Sequence, residues 1–427
     1  MLPTVVFYVL ASQVSIFIVA DEDSDYLDYS ENDYNENLAE NAWRHLLKSI
    51  KLQTRLVEVI KRYKNGYQQR GIERIGKNAT ARIKRQSEIE WIKKLILLAI
   101  DKKQCLPDWH RCQNILSKSQ INNLFTNFRK YSDGFKDALD EILKVRIVGT
   151  KQHRKVQSYI KETMENLAWD VEFDKFTNNT PFGNMNFNNI IATHNPGACK
   201  RLVLACHYDS KYTETRKFVG AVDSAVPCAM MISLAQRLVE KLNEAKNDDI
   251  TLQFIFFDGE EAFKQWGPTD SLYGSQHLAK KWENTILEKS ETKRCPMQHN
   301  TMIDRIELFV LLDLIGAPNP SFLSQFKNTQ SLFKQLIDIQ KQLNKLALFE
   351  TSGGEEVNYF KTKEGNGEVQ DDHLPFLRRN VPIVHLICTP FPSVWHTDAD
   401  NADNLDEASI NNILKVLQIF IVQYLSL

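Results

Sequence analysis

The fold is decided by the stretch at residues 251–261, TLQFIFFDGEE. Residues 251–258 form a nearly continuous apolar run that ends on a carboxylate, and two glutamates follow it closely. A short apolar run of this kind predicts a strand that is buried on both faces. Similar runs at 201–207 (RLVLACH), 308–314 (LFVLLDL) and 382–388 (PIVHLIC) predict three more buried strands.

Helical patterns separate these runs along the chain. We predict helices at 152–167, 224–238, 271–282, 330–346 and 406–425, and one further short strand at 188–193. Strands that alternate with helices form a mostly parallel sheet with helices on both faces. The predicted fold class is therefore α/β, a three-layer sandwich with a central mixed, mostly parallel sheet that is flanked by helices.

Polar side chains stand where each predicted buried strand ends. Ligands of open α/β sheets bind beyond the carboxyl ends of the strands, so these side chains mark a candidate site. They are His207, Asp209, Asp223, Asp258, Glu260, Glu261, Asp313, Trp395 and His396. Taken alone, each has an ordinary explanation, such as a helix N-cap for Asp223 or a solvated loop for the two glutamates. Four apolar strands that all stop on such residues are hard to explain by packing.

Zinc chemistry accounts for the combination. A catalytic zinc takes three nitrogen or oxygen ligands and keeps a fourth position open. Asp223, Glu261 and His396 supply such a set, and Glu260 can then act as a general acid and base beside it. The chain contains no HExxH sequence, which excludes the thermolysin arrangement of ligands.

Longer motifs identify a family. The chain resembles animal glutaminyl-peptide cyclotransferases, which have the di-zinc aminopeptidase (M28-like) fold, in LACHYDSKY, AVDSAVPCAMM, FFDGEEAF, QDDHLPFLRR and PFPSVWHTDADNADNLD. The resemblance covers roughly residues 90–427 and is dense from residue 201 onward. It implies a zinc exopeptidase-like sheet and an acyltransferase of the aminoacyltransferase class. Such an enzyme converts N-terminal glutamine, and more slowly glutamate, of peptides and proteins to pyroglutamate with release of ammonia or water.

The resemblance also implies roles for individual residues. The catalytic residues would be Glu260, Asp313 and Asp371, the ligands of one zinc per chain Asp223, Glu261 and His396, and the substrate-pocket residues His207, Trp266, Gln370, Phe391 and Trp395. His207 matches a ligand of the second metal of the aminopeptidases, which the cyclases do not retain. A disulfide between Cys206 and Cys228 is implied next to the site.

Two other functions stay open at this point. A zinc aminopeptidase on the same fold would use two metals and an activated water. A non-catalytic secreted homologue would have kept the fold alone, although the complete set of ligands and Glu260 argue against it. The number of zinc ions per chain separates the first alternative from cyclisation.

The N-terminal region indicates the secretory pathway. The first twenty residues contain no charged side chain, which favours a signal peptide at 1–20; the alternative is an uncleaved anchor that holds the protein in the Golgi. Residues 21–85 are acidic and then basic, and they end on a convertase-like sequence at 82–85 (RIKR), so they are a candidate pro-segment. The catalytic domain is expected at 86–427.

Composition and charge narrow the partners. The chain is 43% hydrophobic and 25% charged, which is ordinary for a soluble globular protein, and its net charge of -1 gives no reason to expect nucleic acid as a partner. We expect a monomer without stable membrane insertion that acts on peptides and proteins with N-terminal glutamine or glutamate. Sequons at Asn78 and Asn178 predict glycosylation. Seven cysteines leave at least one without an intrachain partner.

Overall fold

A computed structural model of the chain describes residues 5–10, 13–18, 116–126, 132–215, 217–245, 247, 249–295, 297, 299–351 and 354–427. The chain divides into two compact units, residues 1–112 and 113–427. In the first unit, Val5–Leu10 (β1) and Gln13–Ile18 (β2) form an antiparallel hairpin. Several predictions for the N-terminal region lie outside the described residues: cleavage near Ala20, the extension at 21–85 with its convertase-like sequence at 82–85, and the sequon at Asn78. The predicted domain boundaries stay predictions.

The second unit is built on a six-stranded sheet. Its strands are Asp170–Thr180 (β3), Gly183–Thr193 (β4), Lys200–His207 (β5), Ile250–Phe257 (β6), Ile306–Asp313 (β7) and Ile383–Ile387 (β10), and Phe322–Ser324 (β8) pairs with Phe360–Glu364 (β9) in a separate small sheet. The order is β10-β7-β5-β6-β4-β3, in which β10, β7, β5 and β6 pair in parallel and the other two pairs are antiparallel. The prediction of a mixed, mostly parallel sheet is confirmed.

Helices cover both faces of this sheet. They are Lys118–Thr126 (α1), Ser132–Ile142 (α2), Lys151–Asn166 (α3), Val226–Glu244 (α4), Tyr273–Asn284 (α5), Lys289–Arg294 (α6), Gln330–Lys345 (α7), Leu374–Leu377 (α8) and Glu407–Leu425 (α9). Alternate residues of a strand point to opposite faces. In β5, Leu202 and Leu204 accordingly join a core that includes α4 and α9, whereas Val203 and Ala205 join a second core that includes α5.

Two described helical segments are long and apolar enough to cross a membrane, Ala221–Glu244 and Glu407–Leu425. In each of them, 89% of the apolar window is buried inside the protein. The ammonium of Lys415 on α9 lies 2.8 Å from a carboxylate oxygen of Glu350 and 3.1 Å from the carbonyl oxygen of Leu348. Both segments therefore pack as core helices of the sandwich.

The structure corrects two sequence predictions. The strand predicted at 188–193 is only the second half of β4, and its hairpin partner β3 was missed. β3 lies at the edge of the sheet and is largely exposed, so its polar sequence DVEFDKFTNNT lacks the apolar run by which the central strands were found. The helix predicted from residue 224 begins at Val226 instead, because a distorted turn at Ala221–Ala225 holds Asp223 in a non-helical conformation.

The topology fixes the position of the candidate site. β5, β6, β7 and β10 are parallel, so their carboxyl ends lie at one edge of the sheet. His207 and Asp313 are the last residues of β5 and β7, and Asp258 directly follows β6. Loops that leave this edge carry the remaining predicted site residues.

Candidate metal and catalytic site

Three predicted metal ligands from distant parts of the chain come together at this edge. Asp223 lies in the turn before α4, Glu261 in the loop after β6, and His396 in the loop after β10. His396 Nε2 is 3.3 Å from Asp223 Oδ2 and 3.5 Å from Glu261 Oε1. The two carboxylates are buried, while 26% of the His396 side chain is exposed.

These three residues fit a zinc ion. Ligand atoms about 2.0–2.1 Å from a tetrahedral zinc lie about 3.4 Å from one another, close to the two separations found here. Glu261 Oε1 is buried and has no hydrogen-bond partner, so this oxygen lacks the donor that buried acceptors normally have. Burial alone would lower the pKa of His396, but its contacts with Asp223 and Glu261 raise that pKa to about 9. The local field therefore favours positive charge.

The turn that carries Asp223 is held from two sides. Arg146 is fully buried, and its guanidinium donates to the carbonyl oxygens of Val219, of Gly220 at 3.1 Å and of Asp223 at 3.3 Å. On the other side, Asp400 Oδ1 accepts from the backbone amide of Val222 at 2.8 Å. Burial lowers the pKa of Arg146 to about 10, which still leaves it charged at neutral pH.

Gly220 is required where this turn begins. Its φ of 53° lies in the left-handed region, and a Cβ atom there would stand 2.0 Å from the carbonyl oxygen of Asp223. Any side chain at this position would displace the backbone of the predicted ligand.

Glu260 and Glu261 are positioned through Asp209. The Asp209 carboxylate accepts from the backbone amide of Glu260 at 3.1 Å and of Glu261 at 3.3 Å. Burial raises the pKa of Glu260 well above its ordinary value; the charges of Glu261 and Asp371 raise it further, although His207 opposes them. A carboxyl whose pKa is raised in this way holds a proton more readily than an ordinary glutamate, which suits the role of a general acid and base.

Asp313 and Asp371 form the next layer of the site. Ser224 Oγ donates to Asp313 Oδ1, and the backbone amide of Leu314 donates to the same oxygen at 2.8 Å. His385 Nε2 lies 2.7 Å from Asp371 Oδ2. Burial and the charge of Asp371 raise the pKa of Asp313 to about 6, so the two carboxyls share a tendency to hold a proton.

His207 connects the predicted metal ligand Asp223 with the carboxylate of Asp313. Its Nε2 atom is 3.0 Å from Asp223 Oδ1 and 3.7 Å from Asp313 Oδ1, and its Nδ1 atom is 3.5 Å from Asp209 Oδ1. His207, Asp223 and Asp313 offer ligand atoms within 4.8 Å of one another and form a second group that could hold a metal ion.

Aromatic residues border the site. The indole of Trp395 stacks on the His396 ring at a centroid distance of 4.0 Å and meets Phe391 edge-on at 4.9 Å. Trp266 Nε1 donates to Gln370 Oε1 at 3.3 Å. Both tryptophans are partly open to solvent, 38% for Trp266 and 39% for Trp395, as expected of residues that flank an opening.

The described cysteines form two disulfides. Cys206 pairs with Cys228, whose Sγ lies 3.1 Å from the carbonyl oxygen of His207, and Cys199 pairs with Cys295. Cys388 is buried and free. The sequon residue Asn178 is exposed on β3.

Among the residues that shape the site, sequence reasoning missed Arg146, Ser224 and His385. His385 stands inside the apolar strand IVHLI, and an imidazole in a strand buried on both faces was the available signal. Arg146 follows an ordinary stretch of mixed charge, so its burial could not be anticipated. Ser224 adjoins Asp223, and its contact with Asp313 arises only when β5 and β7 pair.

The fold and this carboxylate–imidazole site define a class, because residues 189–421 match Peptidase family M28. The chain is 46% identical over 311 residues to the glutaminyl-peptide cyclotransferase of Drosophila melanogaster, which covers 70% of this chain and 84% of that protein. Among solved structures, Macrostomum lignano glutaminyl cyclase has a TM-score of 0.66 and 37% identity, covering 74% of this chain and 95% of that one. A Zn-dependent exopeptidase from Parabacteroides distasonis shares the fold, with a TM-score of 0.53, 20% identity and coverage of 69% and 97%.

Within that class, the chain belongs to the glutaminyl-peptide cyclotransferase family. The predicted family, enzyme class and zinc exopeptidase-like fold are confirmed.

Proposed function

We propose that this enzyme converts N-terminal glutamine of peptides and proteins, and more slowly N-terminal glutamate, to pyroglutamate with release of ammonia or water. Family membership supports the reaction class. The observation that carries the proposal is the placement of Glu260, a buried carboxyl with a raised pKa, directly beside the Asp223–Glu261–His396 group.

Asp223, Glu261 and His396 would hold one zinc ion per chain. When bound, zinc supplies a Lewis acid that makes the γ-carbonyl carbon of the substrate more electrophilic. The remaining chemistry belongs to the protein's own residues. The substrate pocket encloses a small side chain and excludes bulk water, which would otherwise compete with the substrate's own amine. Its residues are Trp266, Gln370, Phe391, Trp395 and His207.

Glu260 moves the proton. It accepts a proton from the α-amine as the bond between that nitrogen and the γ-carbonyl carbon forms. It then delivers the proton to the side-chain amide nitrogen as the old carbon–nitrogen bond breaks, so ammonia leaves and a five-membered lactam remains. Asp313 and Asp371 face this charge transfer, and hydrogen bonds from Ser224 and a contact with His385 hold them in place.

A zinc aminopeptidase on the same fold is the nearest alternative. The group formed by His207, Asp223 and Asp313 could accept the second ion that such an enzyme needs. In this protein, however, Asp313 Oδ1 already receives two donors, from Ser224 and Leu314. These bonds favour a proton-linked role for Asp313 over a role as a metal ligand.

One assay separates the candidate functions. Purified protein is incubated with a Gln-initiated dipeptide, with and without a zinc chelator, and ammonia, free glutamine and the dipeptide are measured together with the zinc content. Cyclisation predicts ammonia, an N-terminally blocked dipeptide, one zinc per chain and loss of activity with chelator. Free glutamine with two zinc ions per chain would establish the aminopeptidase instead, and no turnover at all would favour a non-catalytic homologue.

Secretion, a removable segment at 21–85 and glycosylation of Asn78 and Asn178 belong to the same proposal. Two disulfides and an exposed Asn178 are compatible with an oxidising secretory compartment. Mass spectrometry of the N-terminal peptide of protein from the culture medium tests processing: Gln86 is expected in cyclised form, lighter by one ammonia, and an N-terminus at Asp21 alone would refute removal of the segment. Loss of mass on treatment with an N-glycosidase tests glycosylation.

A further inference from the structure

Phe182 is an exposed aromatic residue that neither the fold nor the proposed reaction explains. It lies in the turn between β3 and β4, and 49% of its surface is open. The described chain has four large exposed hydrophobic residues: Phe182, Trp266, Ile286 and Trp395. Two of these, Trp266 and Trp395, belong to the proposed substrate pocket.

The sheet register places Phe182 on the same edge as the site. Ile190 of β4 pairs with Phe256 of β6 in antiparallel orientation, so the first half of β4 extends past the carboxyl end of β6. The hairpin turn therefore projects beyond the edge from which Glu260 and Glu261 emerge.

Ring contacts connect Phe182 to the two loops that hold the predicted ligands. Its ring centroid is 5.0 Å from that of Tyr212 and 5.9 Å from that of Phe263. Phe263 follows Glu261 by two residues, and Lys211 Nζ, next to Tyr212, is 3.1 Å from Glu261 Oε2. Two residues span at most about 7 Å, so the Phe182 ring lies within about 17 Å of the Glu261 backbone.

The surroundings of Phe182 are fixed in place. Thr180 Oγ1 accepts from the Phe182 amide at 3.1 Å and orders the turn. The loop beneath is fixed by Asp270, which accepts from the backbone amides of Phe263 and Lys264 at 2.9 Å each. Lys264 Nζ stands 5.2 Å from the Phe182 ring centroid. A rigid aromatic ring beside a cation can bind a partner with little loss of conformational entropy.

We propose that Phe182, with Tyr212 and Lys264, binds the peptide chain beyond the N-terminal residue and selects substrates with an aromatic side chain near their third to fifth residue. The inference rests on the proposed function, since it names the substrates of the same site. An extended peptide advances about 3.3 Å per residue, and paired rings lie 4.5–7 Å apart, so a side chain in that range reaches Phe182 from the pocket. Lys264 adds a preference for a neighbouring carboxylate.

The experiment compares substrates that differ only in this region. The values of kcat/KM are measured for Gln-Gly, Gln-Gly-Gly-Gly-Gly, and pentapeptides with one Phe at position 3, 4 or 5. The wild-type enzyme is expected to prefer one of the Phe peptides over the all-glycine peptide by about 3- to 10-fold, the range of an aromatic pair. Phe182→Ser should reduce this preference below about twofold and leave Gln-Gly turnover unchanged.

Two variants serve as controls. Phe182→Tyr keeps the ring and should keep the preference. Ile286→Ser removes an exposed apolar residue that is not in contact with these loops, and it should leave kcat/KM unchanged for both Gln-Gly and the Phe peptides. The series is repeated with Asn178→Gln, so that a glycan four residues from Phe182 does not mask the ring.

The outcomes separate the inference from the function on which it rests. Equal loss on Gln-Gly and on the Phe peptide in Phe182→Ser would show a purely structural role and overturn the inference. An unchanged preference in that variant would overturn it too. Both results leave cyclisation intact, whereas a wild-type enzyme that turns over none of the peptides contradicts the proposed function itself.

Discussion

Two clusters of carboxylate and imidazole at the same edge of the sheet have similar ligand types and spacing. One is Asp223, Glu261 and His396; the other is Asp371, His373 and His385, and in each the potential ligand atoms lie within 4.8 Å of one another. The first reaches solvent through His396 and contains a carboxylate oxygen without a donor. The second is fully buried, and Asp371 Oδ2 already contacts His385 Nε2 at 2.7 Å.

The pKa values of the histidines shift in opposite directions in the two clusters. In the first cluster two carboxylates raise the pKa of His396 to about 9, so the site attracts a cation. In the second, burial lowers the pKa of His373 to about 3 and that of His385 to about 4, so both rings stay neutral. Ligand type and spacing thus do not define a metal site by themselves. An open approach and excess negative charge favour the first cluster as the proposed zinc site and the second as support for Asp371.

Glu260 interacts with both clusters, through Glu261 on one side and Asp371 on the other, and its loss should have the largest effect. Glu260→Gln keeps the shape but cannot shuttle a proton, so kcat should fall by about 10²- to 10⁴-fold. Zinc content, measured by metal analysis, should stay the same as in the wild type. A variant that kept full activity would show that the general acid and base lies elsewhere.

Matched substitutions in the two clusters should separate their roles in metal binding. His396→Asn should weaken zinc binding by more than about 100-fold, since even residues outside the ligand set cost 10- to 100-fold. His373→Asn should change the zinc dissociation constant by less than about twofold. Competition with a chromophoric chelator measures both. Similar losses in the two variants would remove the distinction between the clusters.

His385 tests the second cluster as a support for catalysis. His385→Leu removes the partner of Asp371 and should lower kcat by about 10- to 100-fold with little change in KM or zinc content. His385→Gln retains an N–H donor and should recover part of the activity. Recovery is the informative control, because a loss caused only by disturbed packing would be equally large in both variants.

The two clusters also differ in how far the sequence predicts them. Asp223, Glu261 and His396 each stand next to an apolar strand or a distinctive motif, so a rule about strand ends and a family resemblance both point to them. His385 is part of its strand, and its role depends on Asp371, fourteen residues earlier, which a separate loop brings back to the sheet. Arg146 acts on carbonyl oxygens of a turn 73 to 77 residues later. Contacts of this kind arise from tertiary packing and leave no local pattern.

The smallest expected effect is on the free energy of unfolding in acid. It tests whether the buried histidines of the second cluster are neutral in the folded protein. The pKa of His373 is lowered from 6.5 to about 3, first by burial and then by His385. Below pH 6.5 the unfolded chain binds a proton that the folded chain excludes, so the free energy of unfolding decreases as the pH falls toward 4. One histidine contributes at most about 1.4 kcal/mol per pH unit. His373→Asn should therefore reduce the pH dependence between pH 6.5 and 4, by about 1 kcal/mol per pH unit.

Urea unfolding of both proteins at pH 6.5, 5.5 and 4.5 measures this difference. Any effect of acid on the zinc cluster is common to the two proteins and cancels in the comparison. His194→Asn is the matched control, because that ring lies at the surface with its Nε2 atom 2.9 Å from the uncharged Asn243 Oδ1, and its replacement should leave the wild-type pH dependence in place. If His373→Asn and the wild type lost stability in parallel, His373 would accept a proton in the folded state. The second cluster would then carry positive charge beside Asp371, and its neutrality could no longer support the proposal that zinc binds the first.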